Sequence, residues 1–127
     1  MRYTLLLHYP EMTAEELGPE ALAEGMRAFD DYAKALDAAG VLDSAEVLQP
    51  SAATTTISLA TGGLVVQDGP FADTKEQLGG TVVIDVPDLD AAIGWAKQAP
   101  PAAYGHVEIR PGATRFVDGT WTGYSHH

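Results

Sequence analysis

The order of strand-like and helix-like segments constrains the fold of this chain more than any other feature. Runs rich in β-branched and aromatic residues predict strands. These runs are 2–9 (RYTLLLHY), 41–50, 79–87 (GGTVVIDVP) and 106–111 (HVEIRP), with a hairpin pattern at 54–69. A helical segment follows the first strand, and another precedes the last. This order predicts an α+β fold, a ferredoxin-like split βαβ sandwich with an extra β-hairpin and with both helices on one face of the sheet.

Two segments, 20–40 and 88–99, carry the periodicity of amphipathic helices. Their apolar residues recur in steps of three and four, which places them on one helix face. The predicted inner faces are Leu22, Met26, Phe29, Ala33 and Leu36 in the first helix, and Leu89, Ala92, Ile93 and Ala96 in the second. Asp88 is the predicted N-cap of the second helix. Ahead of the first helix, Thr13 and Glu16 have the spacing of a capping box.

The chain length of 127 residues is that of one domain with a real hydrophobic core. We assign 1–111 to this domain and 112–127 to a C-terminal tail. Trp121 and Tyr124 suggest that the tail packs against something, such as a partner subunit. The closing pair His126-His127 is either native or the remnant of a purification tag.

Charge and composition narrow the classes of partner. Eighteen acidic residues against seven lysines and arginines give a net charge of −11. Without clustered cations, this excess opposes binding to nucleic acid and to anionic membranes. No apolar run approaches the roughly 20 residues of a membrane span, so we expect a cytoplasmic protein. The lack of cysteine excludes disulfides, a thiolate nucleophile and a cysteine zinc site.

Strand alternation predicts a sheet face, turned away from the helices, that is part apolar and part titratable. Its predicted members are Thr4, Leu6, His8, Thr81, Val83, Asp85, His106, Glu108 and Arg110. Because the first strand should lie between the last strand and the one before the second helix, His8 is expected near Asp85 or near a side chain of 106–110. Leu6 and Val83 make this face too apolar for full solvation, which predicts a homodimer through it.

A histidine beside an aspartate can act as an acid–base pair, because the carboxylate orients the imidazole. The alternative interpretation is that these residues are scattered polar positions at strand ends. His8, His106 and Glu108 could also supply metal ligands. Since the chain has no cysteine and no second ligand cluster, we expect neither a metal nor another cofactor.

The segment DGPFADTKEQLGG, residues 68–80, combines turn chemistry with features that a turn does not need. Asp-Gly-Pro at 68–70 accounts for the turn. The turn explains neither Phe71 in a loop nor the donors and acceptors at 73–76. The closing double glycine permits close approach of the backbone to a ligand or to another strand. We therefore expect a pocket-forming loop in which Phe71 is anchored in apolar surroundings.

This segment, with the following VVIDVPDLDAAIGWAKQAP and VEIRP, resembles the DGPF-motif branch of the YCII-related family. The similarity runs from YTLLLHY to Arg110-Pro111. It implies a bacterial protein of the dimeric α+β barrel type, with a pocket near the DGPF loop. Relatives are often associated with extracytoplasmic-function sigma factors, which makes a sigma factor a possible partner on resemblance alone. Other branches carry a proposed catalytic His–Asp pair with histidines in the first helix, and the first helix of this chain has none.

Together these features favour a homodimeric small-molecule-binding or regulatory protein over a purely structural interaction domain. The alternative is a small-molecule enzyme in which Asp68 and His8 are the catalytic acid–base pair. The ligand-binding residues predicted are Asp68, Gly69, Pro70, Phe71, Thr74, Lys75, Glu76 and Arg110. The sequence identifies neither the ligand nor a reaction.

Overall fold

A computed structural model describes residues 1–122 of the chain, so Tyr124 and the pair His126-His127 lie outside the described residues. The strands are β1 (Arg2–Tyr9), β2 (Leu42–Val47), β3 (Thr55–Ser58), β4 (Val65–Asp68), β5 (Gln77–Asp85), β6 (His106–Pro111), β7 (Phe116–Val117) and β8 (Thr120–Trp121). The helices are α1 (Ala14–Leu17), α2 (Pro19–Ala38) and α3 (Leu89–Ala96), with 3₁₀ turns at Ser51–Ala53 and Pro100–Ala103.

The main sheet has four strands in the order β2-β5-β1-β6. Every neighbouring pair is antiparallel, so β1 and β2 run parallel to each other with β5 between them. In the same way, α3 connects β5 to β6 across β1. Each long helical connection therefore skips one strand, which is the split βαβ arrangement predicted from the segment order. The predicted extra hairpin is also present, as the separate pair β3–β4.

The core lies between one face of this sheet and the helices. Alternate strand residues form it, as the period of two requires. The buried apolar set is Tyr3, Leu5, Leu7, Val82, Ile84 and Val86 from the sheet, with Tyr32, Leu36, Ala92, Ala96 and Ala99 from the helices and the segment after α3. Val107 and Ile109 pack against this core, so β6 has the predicted alternation. No helix among residues 1–122 is long and apolar enough to cross a membrane.

The first helix buries a different set of residues from the one predicted. Leu36 is buried as expected, but Met26 is 67% exposed and Leu22 is also exposed. Tyr32, absent from the prediction, is buried and donates a hydrogen bond to the Trp95 carbonyl at 2.8 Å. Only the second half of α2 covers the core, so the apolar periodicity of the first half has no sheet beneath it.

The helix ends follow the predicted capping chemistry. Thr13 and Glu16 form a reciprocal capping box before α1. Asp88 caps α3 by accepting a hydrogen bond from the Ala91 amide at 2.9 Å. In α3 itself, Ala92 and Ala96 are buried as predicted, whereas Leu89 and Ile93 are exposed.

The described part of the tail forms the small hairpin β7–β8. Phe116 and Trp121 pack edge to face there, with ring centroids 5.4 Å apart. Both side chains are otherwise exposed. Within the single chain, Trp121 thus packs on its own hairpin.

Candidate functional site

The turn at the end of β4 is built by the residues that predicted it. Gly69 has a φ of 99°, in the left-handed region that favours glycine. Its amide donates to the Thr54 carbonyl at 2.7 Å, and its carbonyl accepts from the Thr56 hydroxyl at 2.9 Å. Asp68 ends β4 opposite Thr55 and is exposed. The turn is therefore fastened to β3 through the backbone of Gly69.

The loop after this turn is held by hydrogen bonds from its own side chains. The Gln67 amide donates to the Pro70 carbonyl at 3.1 Å, and the Thr74 hydroxyl donates to the Glu76 carbonyl at 2.5 Å. The Gln77 amide then donates to the Thr74 carbonyl at 3.2 Å. These bonds give the loop a defined shape without burying its apolar residue.

Phe71 does not anchor the loop in apolar surroundings within the single chain. Its side chain is 88% exposed, the largest value among the exposed large apolar residues. Burial of a phenylalanine ring is worth about 1.5–3 kcal/mol, so the exposed ring contributes little to folding of the single chain. The ring is therefore available for contact with a partner or a ligand.

The double glycine serves strand packing. A Cβ at Gly79 would lie 2.2 Å from the ring of Tyr9, whose hydroxyl donates to the Gly79 carbonyl at 3.2 Å. A Cβ at Gly80 would lie 2.9 Å from the Glu46 carbonyl oxygen on the neighbouring strand β2. Of the two roles that the sequence left open, the structure therefore shows close approach to other strands.

Tyr9 is the centre of a small aromatic cluster beside this glycine pair. Its ring lies 6.5 Å from Phe29 and 6.0 Å from Tyr104, measured between centroids. Burial raises the pKa of Tyr9, with smaller contributions from Tyr104 and Glu11. The phenol therefore stays protonated at neutral pH as the donor to Gly79.

A cleft of about 700 Å³ opens between the loop, the first turn of the β2–β3 connection and the end of β1. Its volume lies within the range of small-molecule sites. The lining residues are His8, Leu48, Gln49, Pro50, Ser51, Ala53, Thr54, Thr56, Pro70, Phe71, Ala72, Thr74, Glu76, Gln77 and Leu78.

The predicted site residues divide into two groups. His8, Pro70, Phe71, Thr74 and Glu76 line the cleft. The cleft lining does not include Asp68, Gly69, Lys75 or Arg110. Gly69 contributes through the turn instead, and Arg110 lies on β6 opposite Thr4 of β1.

The helix-free sheet face brings two histidines together. His8 and His106 are cross-strand partners on β1 and β6. His8 Nε2 lies 2.5 Å from Glu108 Oε1, and His106 Nδ1 lies 2.6 Å from Glu76 Oε1. The expectation that His8 lies near the 106–110 side chains is confirmed. The alternative prediction, that His8 neighbours Asp85, is wrong, because Asp85 pairs with Arg2 at the opposite end of β1.

The contact between His8 and Glu108 is close but poorly aligned. His8 Nε2 is inaccessible to solvent, and within residues 1–122 it has no partner with hydrogen-bond geometry. At 2.5 Å the two atoms are in close contact without the alignment of a hydrogen bond. Glu108 occupies this nitrogen, so Nδ1 is the ring nitrogen left for a ligand.

Sequence reasoning missed the segment 48–56, which forms the opposite wall of the cleft. Glu11, from the β1–α1 connection, holds this wall by accepting from the Ser51 amide at 2.6 Å and from the Ser51 hydroxyl. A smaller cavity of about 330 Å³ lies behind it, between Tyr9, Glu11 and Ser51. No local pattern signals this wall, because it depends on a contact between residues forty positions apart.

The arrangement shows no ready metal centre. Among residues 1–122, no group of three or more histidines and carboxylates is placed to hold a metal ion. His8 and His106 each engage a carboxylate separately. What the site offers chemically is two histidine–carboxylate pairs beside a partly apolar cleft.

Fold and site define a small α+β protein with a cleft between a β-turn loop and the helix-free sheet face. The family model for the YCII-related domain matches residues 1–113, and the chain belongs to this family. An uncharacterized protein of Rhizobium meliloti (strain 1021) is 34% identical over 113 residues, covering 87% of this chain and 91% of the relative. The family-model match ends at residue 113, before the β7–β8 hairpin.

Proposed function

We propose that this protein is a homodimeric small-molecule-binding or regulatory protein whose ligand occupies the cleft beside the DGPF loop. The observation that carries the proposal is the cleft itself, which has the volume of a ligand site and is lined by loop residues and His8. Loop side chains that only made a turn would not need to form one wall of such a cleft.

Exposure of Phe71 supports a binding role. Loop side chains on a rigid scaffold are common binding residues, and a large aromatic ring left 88% exposed has contact area to offer. Thr74 and Glu76 place polar groups in the same wall. An apolar contact with a few convergent polar groups is the usual composition of a small-molecule site.

The helix-free sheet face is the proposed dimer interface. Thr4, Leu6, Thr81 and Val83 form a partly apolar strip there that the helices do not cover. Two such sheets packed face to face around a two-fold axis would form the dimeric α+β barrel. Because His8 belongs to the same face, the cleft would open at the edge of this interface.

A second candidate function is acid–base catalysis on a bound small molecule. The 2.5 Å approach of Glu108 to His8 favours it, because a carboxylate beside an imidazole stabilises the protonated ring that forms during proton transfer. The sequence prediction paired His8 with Asp68, which lies outside the cleft lining. The catalytic version of the proposal therefore uses Glu108 as the carboxylate that stabilises the protonated ring and His8 Nδ1 as the acid–base atom.

A screen of mixed small molecules against the protein, read by amide chemical shifts in NMR, tests the binding proposal. We expect at least one ligand to shift amides of 69–78 together with His8. Phe71→Ala should weaken that ligand, whereas Phe116→Ala, an exposed phenylalanine outside the cleft, should not. A diverse screen in which every shift falls elsewhere would refute the proposed site.

A further inference from the structure

The hydrogen-bond inventory of the cleft indicates which kind of ligand it accepts. A hydroxyl has one donor hydrogen and two acceptor lone pairs, and a side-chain amide has both donor and acceptor ends. Where the donor is already used within the protein, only acceptors are left for a ligand. The described residues of the cleft wall can be sorted in this way.

On the β2–β3 wall, the hydroxyl donors of Ser51 and Thr56 are used. Ser51 donates to the Glu11 carboxylate, and Thr56 donates to the Gly69 carbonyl at 2.9 Å. Both hydroxyl oxygens keep acceptor capacity toward the cleft. The Thr54 hydroxyl and the Gln49 side-chain amide make no hydrogen bond within residues 1–122, so each can serve as donor or acceptor.

The loop wall shows the same bias. Thr74 donates to the Glu76 carbonyl at 2.5 Å. The Gln77 amide nitrogen donates to the carbonyls of Thr74 and Ala72, at 3.2 and 3.5 Å, which leaves its oxygen as an acceptor. The four side chains whose donors are used therefore offer only acceptors to a ligand, which favours a ligand with N–H or O–H donors. They are Ser51, Thr56, Thr74 and Gln77.

The charged side chains of the cleft lining also favour a ligand with hydrogen-bond donors. The lining contains one carboxylate, Glu76, one histidine, His8, which Glu108 contacts, and no lysine or arginine. His106 contacts Glu76 through Oε1 only, so Oε2 is left for a ligand. An anionic ligand would meet a carboxylate and a set of acceptors, in a protein of net charge −11.

The cleft lining also contains apolar side chains, which favour a ligand with an apolar part. Phe71, Leu48, Leu78 and Pro70 line the same cleft. The exposed Phe71 ring presents a π-face that attracts a cation.

From these observations we propose that the cleft binds an organic cation with N–H donors on a small apolar body, such as a primary amine, with Glu76 as its counter-ion. This inference rests on the proposed small-molecule-binding function. It specifies the ligand class and predicts weak binding of phosphates and carboxylates.

Three probes that share one ring and differ in charge test the inference: benzylamine, benzyl alcohol and benzoate. Each is titrated at neutral pH against the full chain, and binding is read from the amide shifts of 69–78. We expect benzylamine to bind about tenfold more tightly than benzyl alcohol, as for a hydrogen bond to a charged group, and benzoate to bind most weakly.

The variant Glu76→Gln should weaken benzylamine about tenfold and leave benzyl alcohol unchanged. Asp73→Asn is the matched control, because it removes one negative charge from the same loop outside the cleft lining. If both variants weaken benzylamine equally, the preference reflects net charge and the role of Glu76 is refuted.

Two further outcomes separate this inference from the binding proposal. Benzoate binding in the cleft as tightly as benzylamine would refute the ligand class while supporting a small-molecule site. Failure of benzylamine to shift the cleft amides would also refute the ligand class, and the broad screen would then decide independently whether the cleft binds anything.

Discussion

The two faces of the main sheet are built from the same strands but have opposite chemistry. On the helix-covered face of β1, Leu5 and Leu7 are almost fully buried in the core. On the other face, Leu6 and His8 alternate with them, and His8 contacts a carboxylate. One face is buried in the hydrophobic core, so the titratable side chains of the sheet lie mainly on the other face. The comparison indicates that function is to be sought on the helix-free face.

The largest expected effect contrasts neighbouring leucines on the two faces. Leu5→Ala should lower the free energy of unfolding by about 2–5 kcal/mol, because it leaves a cavity in the core. Urea unfolding at several protein concentrations should show this loss at all of them. Leu6→Ala should have an effect that grows with concentration, because its proposed partner is a second copy. Equal, concentration-independent losses would mean that the two faces do not differ in this way.

A smaller effect is expected at the double glycine. Gly79→Ala should cost about 1–3 kcal/mol, since its Cβ would overlap the Tyr9 ring. Gly63→Ala is the control, because a Cβ there meets nothing within 4 Å. Thermal unfolding of the two variants provides the comparison. If both alanines are tolerated equally, Gly79 is not needed for packing of Tyr9.

The helix-covered face should also produce a pH dependence. Burial raises the pKa of Tyr32 to about 12, from an ordinary value of 10.0. The folded state therefore holds the Tyr32 hydroxyl proton more tightly than the unfolded state does. The resulting contribution to the free energy of unfolding is complete below about pH 10 and is lost as pH rises toward 12. Tyr32→Phe should flatten the fall in melting temperature over this range. If the melting temperature of Tyr32→Phe falls as steeply as that of the wild type, other groups cause the loss of stability at alkaline pH.

The smallest expected effect is at Asp68. It is exposed and lies outside the cleft lining, so Asp68→Asn should change stability by no more than about 0.5 kcal/mol. The affinity for any cleft ligand should also be unchanged. Paired measurements of melting temperature and ligand affinity check this. A large loss of ligand affinity at unchanged stability would mean that Asp68 is part of the binding site.

Sequence patterns predicted strands better than helix faces. The bounds predicted for β1 and β6 match the structure, because a period of two with one buried face leaves little choice of register. The inner face of α2 was mispredicted at Leu22 and Met26, because periodicity does not show where the sheet beneath a helix ends. Tyr32 was missed because its burial depends on a carbonyl of α3.

The site was predictable only where it lies on one segment or on one sheet face. Turn chemistry located the loop. Alternation predicted that His8 lies near Asp85 or near a side chain of 106–110, and the structure shows Glu108 of that segment. The second wall at 48–56 depends on Glu11, which reaches it from a distant connection. Local spacing carries no information about such a contact.

Light scattering at micromolar concentration tests the central claim, that the helix-free face is the functional face and pairs with a second copy. The wild-type protein should have twice the chain mass of 13.4 kDa. Val83→Asp, on the helix-free face, should reduce it to the single-chain mass, whereas Met26→Asp, on the exposed half of α2, should not. A wild-type protein that is monomeric under these conditions would contradict the account.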